Sequence, residues 1–146
     1  MSRKTKYLEV AQIIRSSIKQ TRNKQLKEYL GRTAISRAYE AVFLEIYYYI
    51  TDDLKTSYTQ MKRIAKEYYK QKGLKVPINK HTAVGAYIAM NYGEVYGRMY
   101  NELRNMRNKV DYYIEIGILI TIPMVDMYIK IAEIILNEVV SYEDFK

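Results

Sequence analysis

Tyr96-Gly97-Arg98-Met99-Tyr100-Asn101-Glu102-Leu103-Arg104-Asn105-Met106-Arg107-Asn108-Lys109-Val110-Asp111-Tyr112 is the stretch that decides the fold. Met99, Leu103, Met106 and Val110 recur at spacings of four, three and four, which puts them on one face of an α-helix. Tyr100, Arg104, Arg107 and Asp111 repeat the same spacing one position along. A single helix over about residues 93–113 therefore carries an apolar seam. Beside that seam runs a line of one phenol, two guanidinium groups and one carboxylate.

The helical period continues in both directions. Leu8, Ala11, Ile14 and Ile18 stripe a first helix over residues 2–19, and the polar run Thr21-Arg22-Asn23-Lys24 ends it. A second helix of about 25 residues follows, with Leu26, Leu30, Ala34, Ala38, Ala41, Leu44 and Ile50 apolar. Gly31 sits inside it, where glycine costs about 1 kcal/mol against alanine. Thr51-Asp52-Asp53 is expected to end this helix and supply the next N-cap. The third helix spans residues 54–71, with Tyr58, Met61, Ile64, Ala65 and Tyr68 inward, and Gly73 closes it. After the Lys75-Val76-Pro77 connection, Asn79 caps a helix running through Met90, and residues 91–93 interrupt it. The last helix starts from an N-cap at Thr121, two residues before Pro123, and runs to Val140; residues 141–146 fray. Strand alternation, internal repeats and linker-like segments are not evident. The expectation is one all-α domain over residues 1–146, an antiparallel bundle of five to six helices.

Composition bounds the chemistry. With 146 residues, 49% of them apolar, the chain can build a core without covalent staples. It has no cysteine and one histidine, His81, so disulfides, thiolate metal sites and a histidine cluster within one chain are excluded. No cofactor motif is present: the six glycines form neither a P-loop nor a dinucleotide fingerprint. The basic N-terminus leads into no apolar signal segment. The longest apolar run, residues 114–125, is broken by Gly117, Thr121 and Pro123 and is too short to span a bilayer. A cytoplasmic protein with no membrane partner is expected.

The net charge of +8 is unevenly spread, with ten Lys/Arg against Glu9 and Glu28 in residues 1–37 alone. A second basic region covers residues 55–80, and a third is the Arg104-to-Lys109 segment. Such surfaces attract phosphate backbones, although a solvated lysine-rich face has the same composition. Within the deciding helix, Arg107 and Asp111 form an i,i+4 pair worth about 0.3–0.5 kcal/mol if exposed. The neighbouring Arg104, Asn108 and Lys109 concentrate cations and amides in two turns, a density that points to an anion, because arginine grips phosphate with a bidentate fork. His81 follows Asn79 and Lys80 near a helix start, where a capping or surface role competes with a role in a cleft. A helix N-terminus lowers the pKa of a histidine placed there.

Arg107-Asn108-Lys109-Val110-Asp111-Tyr112 resembles the "R-N-x-x-D-Y" motif form of the HEPN superfamily, and Ser36-Arg37-Ala38-Tyr39-Glu40-Ala41-Val42-Phe43 resembles that family's "S-R-A-Y-Y-A-x-F" helix. The order of the two segments also matches, and the resemblance covers roughly residues 5–142. It implies a HEPN-like bundle that pairs into a homodimer, with the motif helices of two copies lining one cleft. It further implies RNA as partner, metal-independent endoribonuclease activity, and pairing of such toxins with a small nucleotidyltransferase antitoxin. On this resemblance Arg107, Asp111 and Tyr112 are the candidate catalytic residues. Arg104, Asn108, Lys109 and Arg37 are candidates for RNA phosphate, with Arg37 either paired to Asp111 or facing the cleft. Tyr39 is expected as a core tyrosine hydrogen-bonded to the motif helix. Catalytic relatives carry histidine after four to six intervening residues beyond the arginine; here Tyr112 stands at the usual site, four intervening residues from Arg107. A phenol with a pKa near 10 is a poor general base at neutral pH. The alternative is a non-catalytic helical module that binds a nucleotidyltransferase or a nucleotide.

Overall fold

The computed structural model describes residues 3–112 and 119–140, with side chains from residue 6 onward. Among these residues the helical periodicities become six α-helices and no strand: α1 (Arg3–Ile18), α2 (Lys24–Tyr48), α3 (Tyr58–Gln71), α4 (Lys80–Tyr92), α5 (Glu94–Tyr112) and α6 (Ile122–Val140). The expected extensions to Ser2 and Tyr113, and the C-terminal residues 141–146, lie outside the described residues. Four of the helices, α2, α3, α4 and α6, start where a side chain satisfies a free N–H group. Asn23 accepts from the Leu26 amide, Asn79 and Thr82 form a reciprocal capping box, and the Thr121 hydroxyl accepts from the Met124 amide at 3.3 Å.

Residues 51–53 do not cap α3. The α2 helix instead widens into a π-helical turn, Tyr49–Asp53, closed by the Leu54 amide donating to the Tyr49 carbonyl at 3.0 Å. The chain then turns at Lys55, which adopts a positive φ of 56°, and Ser57 caps α3 in a capping box with Gln60. This box is the better start, because it satisfies two donors at once, where an aspartate inside the π turn would have satisfied one.

The long helix α2 is the central element and packs against α1, α4, α5 and α6, while α3 lies outside on α4. Ile35, Tyr39 and Ile46 from α2 meet Ile88 from α4, Leu103 from α5 and Ile135 and Leu136 from α6, all fully buried. Two expectations for the core are corrected. Leu26 is exposed in the first turn of α2, and Tyr69 rather than Tyr68 is the buried tyrosine of α3, its hydroxyl donating to the Thr82 carbonyl at 2.9 Å. Tyr68 lies at the rim and donates to Glu94 at 2.8 Å, with Lys72 beside it at 2.9 Å. On the other side, Arg15 of α1 grips Asp126 of α6 with both Nε and Nη2.

Small residues set how closely the helices approach. Gly31 exists inside α2 because a Cβ there would sit 2.9 Å from Cγ2 of Ile120 and 3.3 Å from Val125. Gly97 of α5 faces Ala89 of α4, where an added Cβ would lie 2.6 Å from the alanine Cβ and 3.1 Å from its Cα. The second contact is backbone and cannot swing aside. Gly97→Ala should therefore lose about 1–3 kcal/mol through overpacking, outweighing the gain of about 1 kcal/mol in helix propensity. Urea unfolding checks this; a raised midpoint would show that α4 and α5 can separate at little cost.

Candidate functional site

The α2, α4 and α5 helices meet around three aromatic side chains. Tyr39 is fully buried on the inner face of α2, between Ser36 and Phe43 on neighbouring turns. Tyr100 is fully buried on α5, more so than the partly buried Met99 and Met106, so the seam of that helix runs through Tyr100, Leu103 and Val110. Its ring fits because Gly85 of α4 lies opposite: a Cβ there would come within 3.2 Å of Tyr100 Cδ2 and Cε2. His81 is the second residue of α4, held at the mouth of this cluster by the Asn79 cap. The Tyr39 hydroxyl lies 2.7 Å from His81 Nδ1 and 2.8 Å from the Tyr100 hydroxyl, and the Tyr100 hydroxyl donates to the His81 carbonyl at 2.9 Å. Phe43 stacks on the imidazole with ring centroids 4.0 Å apart.

The arginines of α5 close the other side. The Arg107 guanidinium carbon stands 4.8 Å from the centre of the Tyr39 ring and 5.8 Å from that of Tyr112, a cation between two π faces. Its Nη1 donates to the Tyr112 hydroxyl at 3.2 Å and lies 4.0 Å from Asp111 Oδ2. That carboxylate oxygen already accepts a 2.9 Å hydrogen bond from Ser36, so Asp111 ties α5 to α2 and only loosely neutralises Arg107. The Nε atoms of Arg104 and Arg107 are both buried, and neither finds an acceptor among the described residues. Among the described residues these two guanidinium groups keep unused donors, and their one ion pair is the 4.0 Å contact of Arg107 with Asp111, which makes them an anion-seeking pair.

This field shapes the titrating groups. Burial first, then the charges of Arg107 and Arg104, lower the pKa of His81 to about 4. Its place at a helix N-terminus acts in the same sense. The Tyr39 hydroxyl is pushed up, chiefly by burial, with the Tyr100 hydrogen bond and the two arginines opposing. Burial raises Tyr100 well above its ordinary value. The imidazole is therefore neutral at physiological pH, beside two permanent cations.

Of the residues singled out from sequence, Arg104, Arg107, Asp111 and Tyr112 do gather on one side of α5, and Tyr39 is the expected core tyrosine bonded to that helix. Tyr112 is 69% exposed, open to solvent beside the half-buried Arg107. Asn108 is half-buried and Lys109 exposed, and neither makes a hydrogen bond or ion pair among the described residues. Arg37 does not reach Asp111: it pairs with Glu40 one turn along its own helix, and Ser36 takes the carboxylate instead. The physical reason is angular, because adjacent positions on α2 lie about 100° apart and only Ser36 faces α5. His81 does not cap its helix; Asn79 and Thr82 do so, which frees the imidazole to turn inward. The convergence of His81 with Arg107 could not be read from spacing along one helix. The one available signal was the capping box, which fixes His81 at the second position of α4. No three carboxylate or imidazole groups converge on a point among the described residues.

No known protein family, curated protein or solved structure matches the chain.

The depressed histidine has a measurable consequence. Its unfolded-state value is 6.5 and its folded value about 4, so unfolding takes up a proton between these limits. The His81 contribution to stability should be fully present above pH 6.5 and fall as the pH drops towards 4. The imidazole of this chain's one histidine gives a single NMR titration, expected to have its midpoint near 4. A midpoint at 6 or above would mean that the ring is solvated and outside the field of the arginines.

Proposed function

We propose that this chain is an RNA-directed protein of HEPN type: an antiparallel helical bundle that acts in the cytoplasm as a homodimer and cleaves RNA without metal. The single observation that carries this reading is the pair of buried Nε groups on Arg104 and Arg107 that find no acceptor among the described residues, with the Arg107 guanidinium set between two tyrosine faces. Leaving a buried donor of a charged group unsatisfied costs at least about 1–3 kcal/mol. An anion that accepts from both guanidinium groups would recover that cost, and a phosphodiester has the oxygens to do so. The flanking Tyr112, exposed and bonded to Arg107, offers a phenol to the ribose and a ring on which a base can stack. In this reading Arg107 holds the phosphate and meets the charge that develops on it, Arg104 adds field from one turn earlier, and Asp111 keeps α5 in register on α2. The net charge of +8 supports attraction of a polyanion from a distance. A small nucleotidyltransferase is the protein partner that the motif resemblance suggests.

Incubation with single-stranded RNA in EDTA should yield 2′,3′-cyclic phosphate and 5′-hydroxyl ends. Arg107→Ala should slow this by about 10²–10³-fold, the usual effect of removing one donor to a transition-state oxyanion, while thermal unfolding shows a folded chain. Binding without cleavage by the wild-type protein would favour the non-catalytic module. Neither binding nor cleavage would refute the reading.

A further inference from the structure

The donor count around His81 decides which of its nitrogens can act. The His81 carbonyl can only accept, so the single hydrogen of the Tyr100 hydroxyl is committed to it at 2.9 Å. Tyr100 then has only lone pairs to offer Tyr39, so in that 2.8 Å contact Tyr39 is the donor. The one hydrogen of Tyr39 is thereby used as well. In the remaining 2.7 Å contact the Tyr39 oxygen must accept, and His81 Nδ1 must carry the hydrogen. Any other assignment sets two oxygens, or an oxygen and a nitrogen, lone pair against lone pair at under 3 Å. The chain of hydroxyls starts and ends on the same residue. It fixes one tautomer, with Nδ1 protonated and the lone pair on Nε2, which makes no hydrogen bond among the described residues. Phe43, stacked at 4.0 Å, holds the ring plane.

We propose that His81 is the proton acceptor of this site, supplied from α4 and held as the Nδ1–H tautomer by Tyr39 and Tyr100, so that Nε2 takes the proton from the attacking hydroxyl. This rests on the ribonuclease reading above and fills the role that Tyr112 cannot. Geometry joins the two halves through Tyr39, whose hydroxyl touches His81 and whose ring lies against Arg107. The step balances within the RNA. Nε2 takes the 2′-hydroxyl proton as the 2′-oxygen forms its bond to the adjacent phosphorus. The bond from phosphorus to the 5′-oxygen then breaks, and that oxygen leaves with a proton from water. The imidazolium returns its proton to solvent. No oxidant, metal or further reactant enters. Tyr39 and Tyr100 are positioning residues.

The ring is also tuned by what binds. The titratable and charged groups around it are Tyr39 from α2, Tyr100, Arg104 and Arg107 from α5, Tyr69 from α3 at the next carbonyl, and Lys80 on its own helix, drawn over the Tyr47 and Tyr58 rings. A base with a pKa of about 4 is weak. Burial is the larger cause of that low value, and the charges of Arg107 and Arg104 add to it; a phosphodiester held by the two arginines offsets their part and so raises the basicity of the ring when substrate is in place.

Three measurements test this. Nitrogen-15 NMR of the imidazole should show the Nδ1–H tautomer at pH 7, and Tyr39→Phe should abolish that preference. His81→Asn keeps a donor near the Nδ1 position but has no basic nitrogen. It should bind single-stranded RNA within about twofold of wild type while cleaving it about 10²–10⁴-fold more slowly, and the rise of kcat with pH should be lost. In the wild type, the limb on kcat should lie at higher pH than the limb on kcat/KM. An Nε2–H tautomer, or cleavage by a folded His81→Asn at the wild-type rate, overturns the assignment; His81→Gln repeats the test if the asparagine variant does not fold. Arg107→Ala, by contrast, should lose binding and cleavage together. If the wild-type chain cuts no RNA at all, the ribonuclease reading falls and the proton-acceptor role falls with it, even where the tautomer is as expected.

Discussion

Two buried tyrosine hydroxyls must find partners, and the arrangement of α2, α4 and α5 follows from that requirement. Tyr39 and Tyr100 are sealed from water, where an unsatisfied hydroxyl costs about 1–3 kcal/mol. Each can be satisfied only with the other and with the first turn of α4 in place. The hydroxyl chain therefore acts as a register pin. A slide of any of the three helices by one residue, about 1.5 Å, would break at least one link of under 3 Å. The small residues serve the same geometry: Gly85 admits the Tyr100 ring, and Gly97 lets α5 close on Ala89.

The arginines are tolerated beside this core for a different reason. A guanidinium is planar and weakly hydrated, so it can lie against a tyrosine face and lose less than an ammonium would. Arg107 does so between Tyr39 and Tyr112, with a loose contact to Asp111 in place of a full ion pair. A tight carboxylate partner would have stabilised the helix more and left nothing for an incoming anion. The charges of Arg107 and Arg104 also add to burial in keeping the imidazole uncharged. Placing Ser36 on the same carboxylate restrains it to a structural tie between helices.

Much of the scaffold was legible because helical period and caps are local. The extents of α1, α4, α5 and α6 lie near the expected positions, and Asn79 and Thr121 cap as their residue types suggest. The errors fall where tertiary packing overrides a local signal. Thr51-Asp52-Asp53 has the composition of an N-cap, but Ile50 is drawn into the core and the chain runs on as a wide turn. Tyr68 and Tyr69 are adjacent on a helix, and only the position of Thr82 on α4 decides which is buried. The candidate site divides in the same way. Arg104, Arg107 and Asp111 could be seen because one helix displays them. His81 lies 19 residues before Tyr100 and 42 after Tyr39, and no periodicity connects them. Tyr39 was expected in the core, but its use as the link between an imidazole and a guanidinium is a property of three helices at once.

That division has a mechanical consequence. When a phosphate-binding arginine and a base share one helix, backbone hydrogen bonds fix their separation, and loosening the domain leaves it unchanged. Here the arginines belong to α5 and the imidazole to α4, so their separation is set by helix packing and by the Tyr39 bridge. Displacing a reacting group by about 1 Å can cost about 10²-fold in rate, whereas a packed core often absorbs such a shift for about 1–3 kcal/mol. On the proposed reading the contact of Gly97 with Ala89, about two turns from Arg104 along α5, bears on chemistry as well as on stability. The site is built from the interface between two helices, and its precision can be no better than that interface.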